Sequence, residues 1–134
     1  FNAAPMSSDV NALPLEAIEL LVINEIEGFE LTNTTAPDDI IAILSSRFTF
    51  TNILLTLGAA GSIYAGRDAS VFQPALNVDA VDTTAAGDTY VGYFLAKYST
   101  GASVEESLAL ATSAAAVCVT RAGAATSIPN LWEL

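Results

Sequence analysis

Two short apolar runs constrain the fold of this chain more than any other feature. Leu20-Leu21-Val22-Ile23 and Asn52 to Leu57 (N-I-L-L-T-L) are each apolar on both faces. Such runs are typical of strands in a parallel sheet that helices cover on both sides. Helix-like segments, Asn24 to Leu31 and Pro37 to Arg47, alternate with these runs. The alternation predicts an α/β layered fold with a mostly parallel sheet.

The remaining sequence predicts several shorter elements and two more long helices. They are the end of a strand at Phe1-Asn2-Ala3 with a turn at Ala4-Pro5, a short helix from Pro14 to Leu20, a hairpin of Ser62 to Ala65 and Ser70 to Gln73 joined by Gly66-Arg67-Asp68, a strand from Asn77 to Val81, a helix from about Gly87 to Thr100, and a helix capped by Ser103 that runs to near Arg121.

Composition excludes several classes of function. The net charge is -11 with only four basic residues, so we expect neither a nucleic acid nor an anionic membrane as a partner. The chain has no histidine, which removes Ser-His and Cys-His nucleophiles and His-ligated metals. Its single cysteine, Cys118, allows no internal disulfide, and its apolar surroundings favour a core side chain over a nucleophile.

No segment of the sequence has the pattern of a membrane span or of a leader. The longest apolar stretch, Ala109 to Val119, is interrupted by Thr112 and Ser113 and is shorter than the roughly 18 to 20 residues that a spanning helix needs. The first residues carry no basic segment of the kind that begins a signal peptide, so we expect a cytoplasmic protein.

The stretch from Val81 to Tyr90, V-D-T-T-A-A-G-D-T-Y, carries the strongest chemical signal. Small residues lie between two acids and lead into a helix-periodic segment, which predicts a tight loop and a helix N-terminus. Unpaired N–H groups at such a terminus can hold an anion, and small side chains let a phosphate approach. Asp88 falls in the first turn, where it could accept a proton during phosphoryl transfer. The alternative is a helix cap with an acid near the positive end of the helix dipole.

Two further groups follow predicted strands. Asn24 and Glu27 share a helix face and could orient Mg²⁺ through water, although these two residues alone are better explained by a helix start with a solvated acid. Thr56 and Gly58 could meet a polyphosphate, although an ordinary strand-to-turn junction suffices. Ligands of α/β sheets bind beyond the carboxyl ends of strands, so the coincidence of these groups with Asp82 is more informative than any one of them.

The motifs resemble those of the ribokinase-like (PfkB) carbohydrate kinases, and within that family the ribokinase branch. The match covers the whole chain but only the C-terminal half of the family's fold. It rests on these segments: D-T-T-A-A-G-D-T-Y, Asn24-Glu25-Ile26-Glu27, Thr56-Leu57-Gly58 with Gly61, Asn2-Ala3-Ala4-Pro5, Val119-Thr120-Arg121 with Gly123-Ala124, and Ser127-Ile128-Pro129.

The resemblance implies a three-layer, Rossmann-like α/β/α fold, here incomplete, and a role for each matched residue. Asp88 would be the general base, and Ala85, Ala86 and Gly87 would form the anion hole for the transferred phosphoryl group. ATP and Mg²⁺ would be bound through Asn24, Glu27, Thr56, Gly58 and Gly61, with adenine over Thr112 and Ala116. A monovalent cation, K⁺, would be held by oxygens of Asp82, Thr84, Cys118, Arg121, Gly123 and Ser127.

The resemblance implies an ATP-dependent sugar kinase that converts D-ribose to ribose 5-phosphate. The alternatives are another member such as a fructokinase or a nucleoside kinase, or a nucleotide-binding module without catalysis. Residues 1–134 would be the nucleotide-binding and catalytic-base part, with the sugar-binding and lid part absent. We therefore expect this chain to be inactive alone, and the full-length protein to form a homodimer.

Overall fold

The structure, a computed structural model, describes residues 1–4, 10, 13–67 and 69–134. Pro5, in the first predicted turn, and Asp68, in the predicted hairpin turn, lie outside these residues. The chain divides into two compact units. The first comprises Phe1–Leu57 and Ser62–Phe72, and the second comprises Gly58–Gly61 and Gln73–Leu134.

A four-stranded sheet with the strand order β1-β2-β3-β4 organises the first unit. Its strands are β1 (Leu20–Asn24), β2 (Asn52–Thr56), β3 (Gly61–Ala65) and β4 (Ser70–Pro74). β1 and β2 are parallel, with Asn24 opposite Thr56, whereas β2 and β3 are antiparallel. Asn2 forms a parallel bridge to Val22 on β1. The predicted α/β class is confirmed, and the sheet is mixed because the hairpin of β3 and β4 adds its strands in the antiparallel sense.

Both faces of β1 and β2 are buried, as their apolar sequences predict. Leu21 and Ile23 are 0% and 1% exposed on one face, and Leu20 and Val22 are 6% and 3% exposed on the other. The first pair belongs to a cluster that includes Ile40 of the second helix. Because every position of these strands lies in apolar surroundings, the sequence shows a continuous apolar run without alternation.

Two helices flank these strands where the sequence predicts them. α1 covers Glu25–Thr32 and α2 covers Pro37–Arg47. Pro37 occupies the first turn of α2, where a missing N–H costs nothing, and two acids follow it near the positive end of the helix dipole. The predicted short helix after Pro14 is only a 3₁₀ turn, Leu15–Ala17.

The second unit is built on two helices that pack against each other, α3 (Ala86–Tyr98) and α4 (Val104–Val119). Ser103 and Glu106 form the predicted capping box at the start of α4, with reciprocal bonds of 3.1 Å and 3.3 Å. α3 ends at Tyr98, and Gly101, at φ +82°, lies in the turn that follows it. α4 ends at Val119, two residues before the predicted end.

The predicted strand from Asn77 to Val81 is wrong. These residues are irregular and exposed, and no described residue pairs with them in a ladder. Their alternating sequence suits a strand, but a strand also needs a partner for its N–H and C=O groups. Only the end of the segment is fixed, because the N–H groups of Val81 and Asp82 both donate to the carbonyl oxygen of Val119. Among the described helices, none has the length and apolarity needed to cross a membrane.

Candidate functional site

The start of α3 leaves backbone donors free, as the sequence predicts. Ala85 is the N-cap in the left-handed conformation, at φ 63°. The N–H of Ala86 donates to Thr83, and the N–H of Thr89 donates to Ala85. Within the described part of the chain, no acceptor is found for the N–H groups of Gly87 and Asp88. These two groups, at the positive end of the helix dipole, can therefore bind an anion.

The backbone at Gly87 is accessible. A Cβ atom added to Gly87 would meet no heavy atom within 4 Å. Gly87 and Asp88 are both exposed, so a ligand can reach the N–H groups and the Asp88 carboxylate. Asp88 is the third residue of α3, which puts a proton acceptor in the same helical turn as the two free donors. This pairing of donors and base is what phosphoryl transfer to a hydroxyl requires.

Asp82, the other acid of the motif, is bound within the protein. One carboxylate oxygen accepts the N–H of Thr84 at 2.9 Å, and the other accepts the N–H of Gly123 at 3.0 Å. Hydrogen bonds from the Thr84 side chain, the Gly123 N–H and the Thr84 N–H, in that order, lower the pKa of Asp82 from 3.8 to about 2. These hydrogen bonds engage both oxygens of Asp82 within the protein, whereas Asp88 is exposed beside the free N–H groups of α3.

A buried thiol lies against the same loop. Cys118 is fully buried, as predicted for a core side chain. Its Sγ accepts a hydrogen bond from Thr89 at 3.4 Å, lies 3.2 Å from Ser127 Oγ, and lies 3.8 Å from the carbonyl oxygen of Thr84. These contacts join the loop, α3 and α4. The sequence prediction does not include Thr89. The sequence feature that could have indicated it is a hydroxyl side chain in the first turn of a helix, on the face that packs inward.

The proposed ligands of a monovalent cation all lie in the second unit. Contacts link Asp82 to Thr84 and Gly123, and Cys118 to Thr84 and Ser127. The donor set fits K⁺, because carbonyl and carboxylate oxygens are its usual ligands and the Asp82 carboxylate, which accepts three hydrogen bonds, keeps one acceptor position. The guanidinium of Arg121 is occupied by Glu133 at 2.7 Å, which leaves the backbone carbonyl as the contribution of Arg121.

In the first unit, Asn24 and Glu27 bind each other. The Asn24 side chain accepts the N–H of Glu27 at 2.9 Å, and Glu27 accepts the N–H of Asn24 at 2.8 Å. The interpretation of Glu27 as a solvated acid is wrong, because the residue is only 4% exposed. Thr56 is the ladder neighbour of Asn24, and its hydroxyl donates to Ile23 at 3.5 Å. Asn24 and Thr56 therefore end adjacent parallel strands, as predicted. The same prediction is wrong for Asp82, because the described residues directly before it form no strand.

Asn24 and Glu27 fit Mg²⁺ only if water molecules lie between their side chains and the ion. The described residues contain no cluster of three or more His, Cys, Asp or Glu side chains suited to a metal ion. Mg²⁺ commonly retains several waters and takes one or two carboxylates together with substrate phosphates, so Asn24 and Glu27 suit that outer position.

The two glycines predicted to contact ATP differ in their surroundings. Gly58, at φ +52°, has no heavy atom within 4 Å of an added Cβ, so a ligand could approach it. Gly61 is at φ +119°, and its Cβ would lie 2.1 Å from the carbonyl oxygen of Gln73. Chain packing alone therefore requires glycine at 61. Thr112 and Ala116, predicted to lie beneath adenine, are 6% and 9% exposed and offer a base little surface.

Comparison with known proteins assigns the family. Residues 2–131 match the family described as pfkB family carbohydrate kinase. The chain belongs to this family. It is 36% identical over 140 residues to the ribokinase of Schizosaccharomyces pombe, and the match covers 98% of this chain and 43% of that protein.

Solved structures agree with this pfkB assignment. Thermotoga maritima ribokinase superposes with a TM-score of 0.87 at 32% identity, over 99% of this chain and 46% of that one. Arabidopsis thaliana ribokinase, solved with ribose and ATP, gives a TM-score of 0.79 at 32% identity, over 87% and 39%. The predicted family and ribokinase-like fold are confirmed. The chain spans less than half the length of these relatives, so its sheet and helices are part of their α/β fold.

Proposed function

We propose that this chain is the nucleotide-binding and catalytic-base part of an ATP-dependent sugar kinase. One observation carries the proposal: the start of α3 presents the free N–H groups of Gly87 and Asp88 in the same turn as the exposed Asp88 carboxylate. Family membership gives this geometry its chemical meaning, because pfkB proteins are carbohydrate kinases.

In the proposed reaction, Asp88 accepts the proton of a sugar hydroxymethyl group as its oxygen attacks the γ-phosphorus. The N–H groups of Gly87 and Asp88 stabilise the negative charge on the transferred phosphoryl oxygens, and the dipole of α3 adds to this effect. ATP would supply the phosphoryl group. Mg²⁺, when bound, would supply charge neutralisation, and Asn24 and Glu27 would orient its waters. K⁺, when bound, would be held by Asp82 and its neighbours and would add positive charge to that of the four basic residues.

D-ribose is the proposed acceptor, yielding ribose 5-phosphate. The proposal is supported by the relatives named ribokinase, including the Arabidopsis protein solved with ribose and ATP. Another family substrate, such as fructose or a nucleoside, remains the alternative within the class. A nucleotide-binding module without catalysis is the alternative outside it, and the exposed Asp88 argues against that function because simple binding has no need of a base beside the phosphate.

The binding half of the proposal is tested by titrating ATP with Mg²⁺ into the ¹⁵N-labelled chain. We expect the largest amide shifts at Gly87 and Asp88. The start of α4 is a matched control, because its capping box occupies the N–H of Glu106 with the Ser103 hydroxyl. Shifts confined to the start of α4, or no saturable shift at Gly87 and Asp88, would contradict the proposed site.

A further inference from the structure

The last residues of the chain form three hydrogen bonds that hold them to α3 and to the turn that follows α4. In this segment, residues 127–134 (the terminal segment), the Ser127 hydroxyl donates to Ala124 at 2.6 Å. The Tyr93 hydroxyl, on α3, donates to the carbonyl oxygen of Pro129. Arg121 donates to Glu133 at 2.7 Å. The terminal segment is therefore fixed to α3 and to the turn that follows α4.

Glu133 is the most highly connected of these anchors. One carboxylate oxygen accepts Arg121, and the other accepts the N–H of Asn130 at 2.6 Å and its side-chain amide at 3.2 Å. The reciprocal bonds with Asn130 hold the 3₁₀ turn Leu131–Glu133. The carboxylate is thus oriented by its own turn before it meets Arg121, which lowers the entropic cost of forming the ion pair.

Arg121 leads directly to the loop that precedes α3. Two residues after it, Gly123 donates its N–H to Asp82. Gly123 is at φ +105°, a left-handed backbone that glycine adopts without strain and that lets its N–H donate to Asp82. Asp82 in turn holds the N–H of Thr84, the residue before the N-cap of α3.

We propose that Glu133, acting through Arg121 and the Gly123–Asp82 hydrogen bond, is a positioning residue for the loop 82–88 that presents the phosphoryl-binding N–H groups. The inference rests on the proposed function, since the loop has a reaction to serve only if it binds phosphate. It adds a residue that lies 45 positions beyond Asp88 in the sequence and touches no substrate in the proposed mechanism.

The experiment compares three single variants of the 134-residue chain by amide hydrogen exchange and by titration with inorganic phosphate. Glu133→Gln removes the charge and keeps the shape, and Tyr93→Phe removes the independent anchor at Pro129. Glu105→Gln is the control, because Glu105 is also an exposed acid of the second unit and its substitution makes the same change in charge.

We expect Glu133→Gln to speed exchange of the Gly123 and Thr84 amides about two- to fivefold, the range set by the modest strength of exposed ion pairs. Tyr93→Phe shifts the same two amides in the same direction, while Leu108 in the core of α4 is unchanged. A general loss of stability would instead speed Leu108 as well. Phosphate shifts at Gly87 and Asp88 weaken in both variants and not in the control.

Unchanged exchange at Gly123 and Thr84 in Glu133→Gln overturns the positioning role, whatever Tyr93→Phe and the phosphate titration show. Parallel acceleration at Leu108 also overturns it, because the effect is then global. If the exchange changes are local but the wild-type chain shows no phosphate response at Gly87 and Asp88, Glu133 still positions the loop, and the proposed function is contradicted. The two hypotheses are therefore separable in one set of samples.

Discussion

Replacing Gly87 with alanine separates stability from phosphate binding. Gly87 and Gly92 both lie within α3, and an added Cβ meets no heavy atom within 4 Å at either position. Neither has a positive φ. Alanine restricts the unfolded chain and suits a helix, so each substitution should stabilise the protein by about 0.5–1 kcal/mol. Gly92→Ala is the matched control, since it makes the same change in the same helix away from the N-terminus.

Only Gly87→Ala should affect anion binding, because its methyl group is added at one of the two residues whose N–H groups are free. A favourable interaction at an exposed helix terminus is worth about 0.3–1 kcal/mol, so its loss corresponds to a roughly 2- to 5-fold weaker phosphate affinity. Thermal unfolding gives the stability change, and chemical-shift titration with inorganic phosphate gives the affinity. If Gly87→Ala raises stability as Gly92→Ala does and leaves phosphate affinity unchanged, the anion does not bind at this backbone.

Two further predictions concern local structure. Gly61→Ala should destabilise the protein by about 3 kcal/mol or more, because the methyl group overlaps the Gln73 carbonyl. Gly58→Ala places its methyl group in open space and should cost only about 1–2 kcal/mol, because alanine disfavours the left-handed backbone there. Urea unfolding of the two variants measures both free energies. The pKa of Glu133, lowered from 4.5 to about 2 chiefly by the side-chain hydrogen bond from Arg121, should rise towards 4.5 in Arg121→Gln. A carboxyl ¹³C titration measures it, and an unchanged value would show that the pair is not formed in solution.

Local patterns in the sequence determine much of this fold. Continuous apolar runs identify β1 and β2, Pro37 marks the start of α2, and the Ser103–Glu106 spacing marks the start of α4. Each signal depends on residues that are close in sequence. The predicted strand at 77–81 fails for the opposite reason, because a strand depends on a partner that local sequence cannot supply.

The candidate site follows the same division. The helix start at Ala86, with an acid in its first turn, is evident from the sequence. The left-handed backbone of Ala85 is not, because alanine disfavours that conformation and only the surrounding contacts impose it. The bond from Gly123 to Asp82 spans 41 residues and leaves no periodic signal, and the Arg121–Glu133 pair likewise joins residues that no motif connects.

Turnover by an Asp88→Asn variant tests the central claim most directly. The experiment uses a chimera in which this chain replaces the segment of Thermotoga maritima ribokinase that it matches, 46% of that chain. In the active chimera, Asp88→Asn should lower kcat for ATP-dependent ribose phosphorylation by about 10²- to 10⁴-fold and retain ATP binding. Asp79→Asn, at an exposed acid outside the helices, should change neither. An Asp88→Asn chimera with unchanged kcat would show that Asp88 is not the proton acceptor.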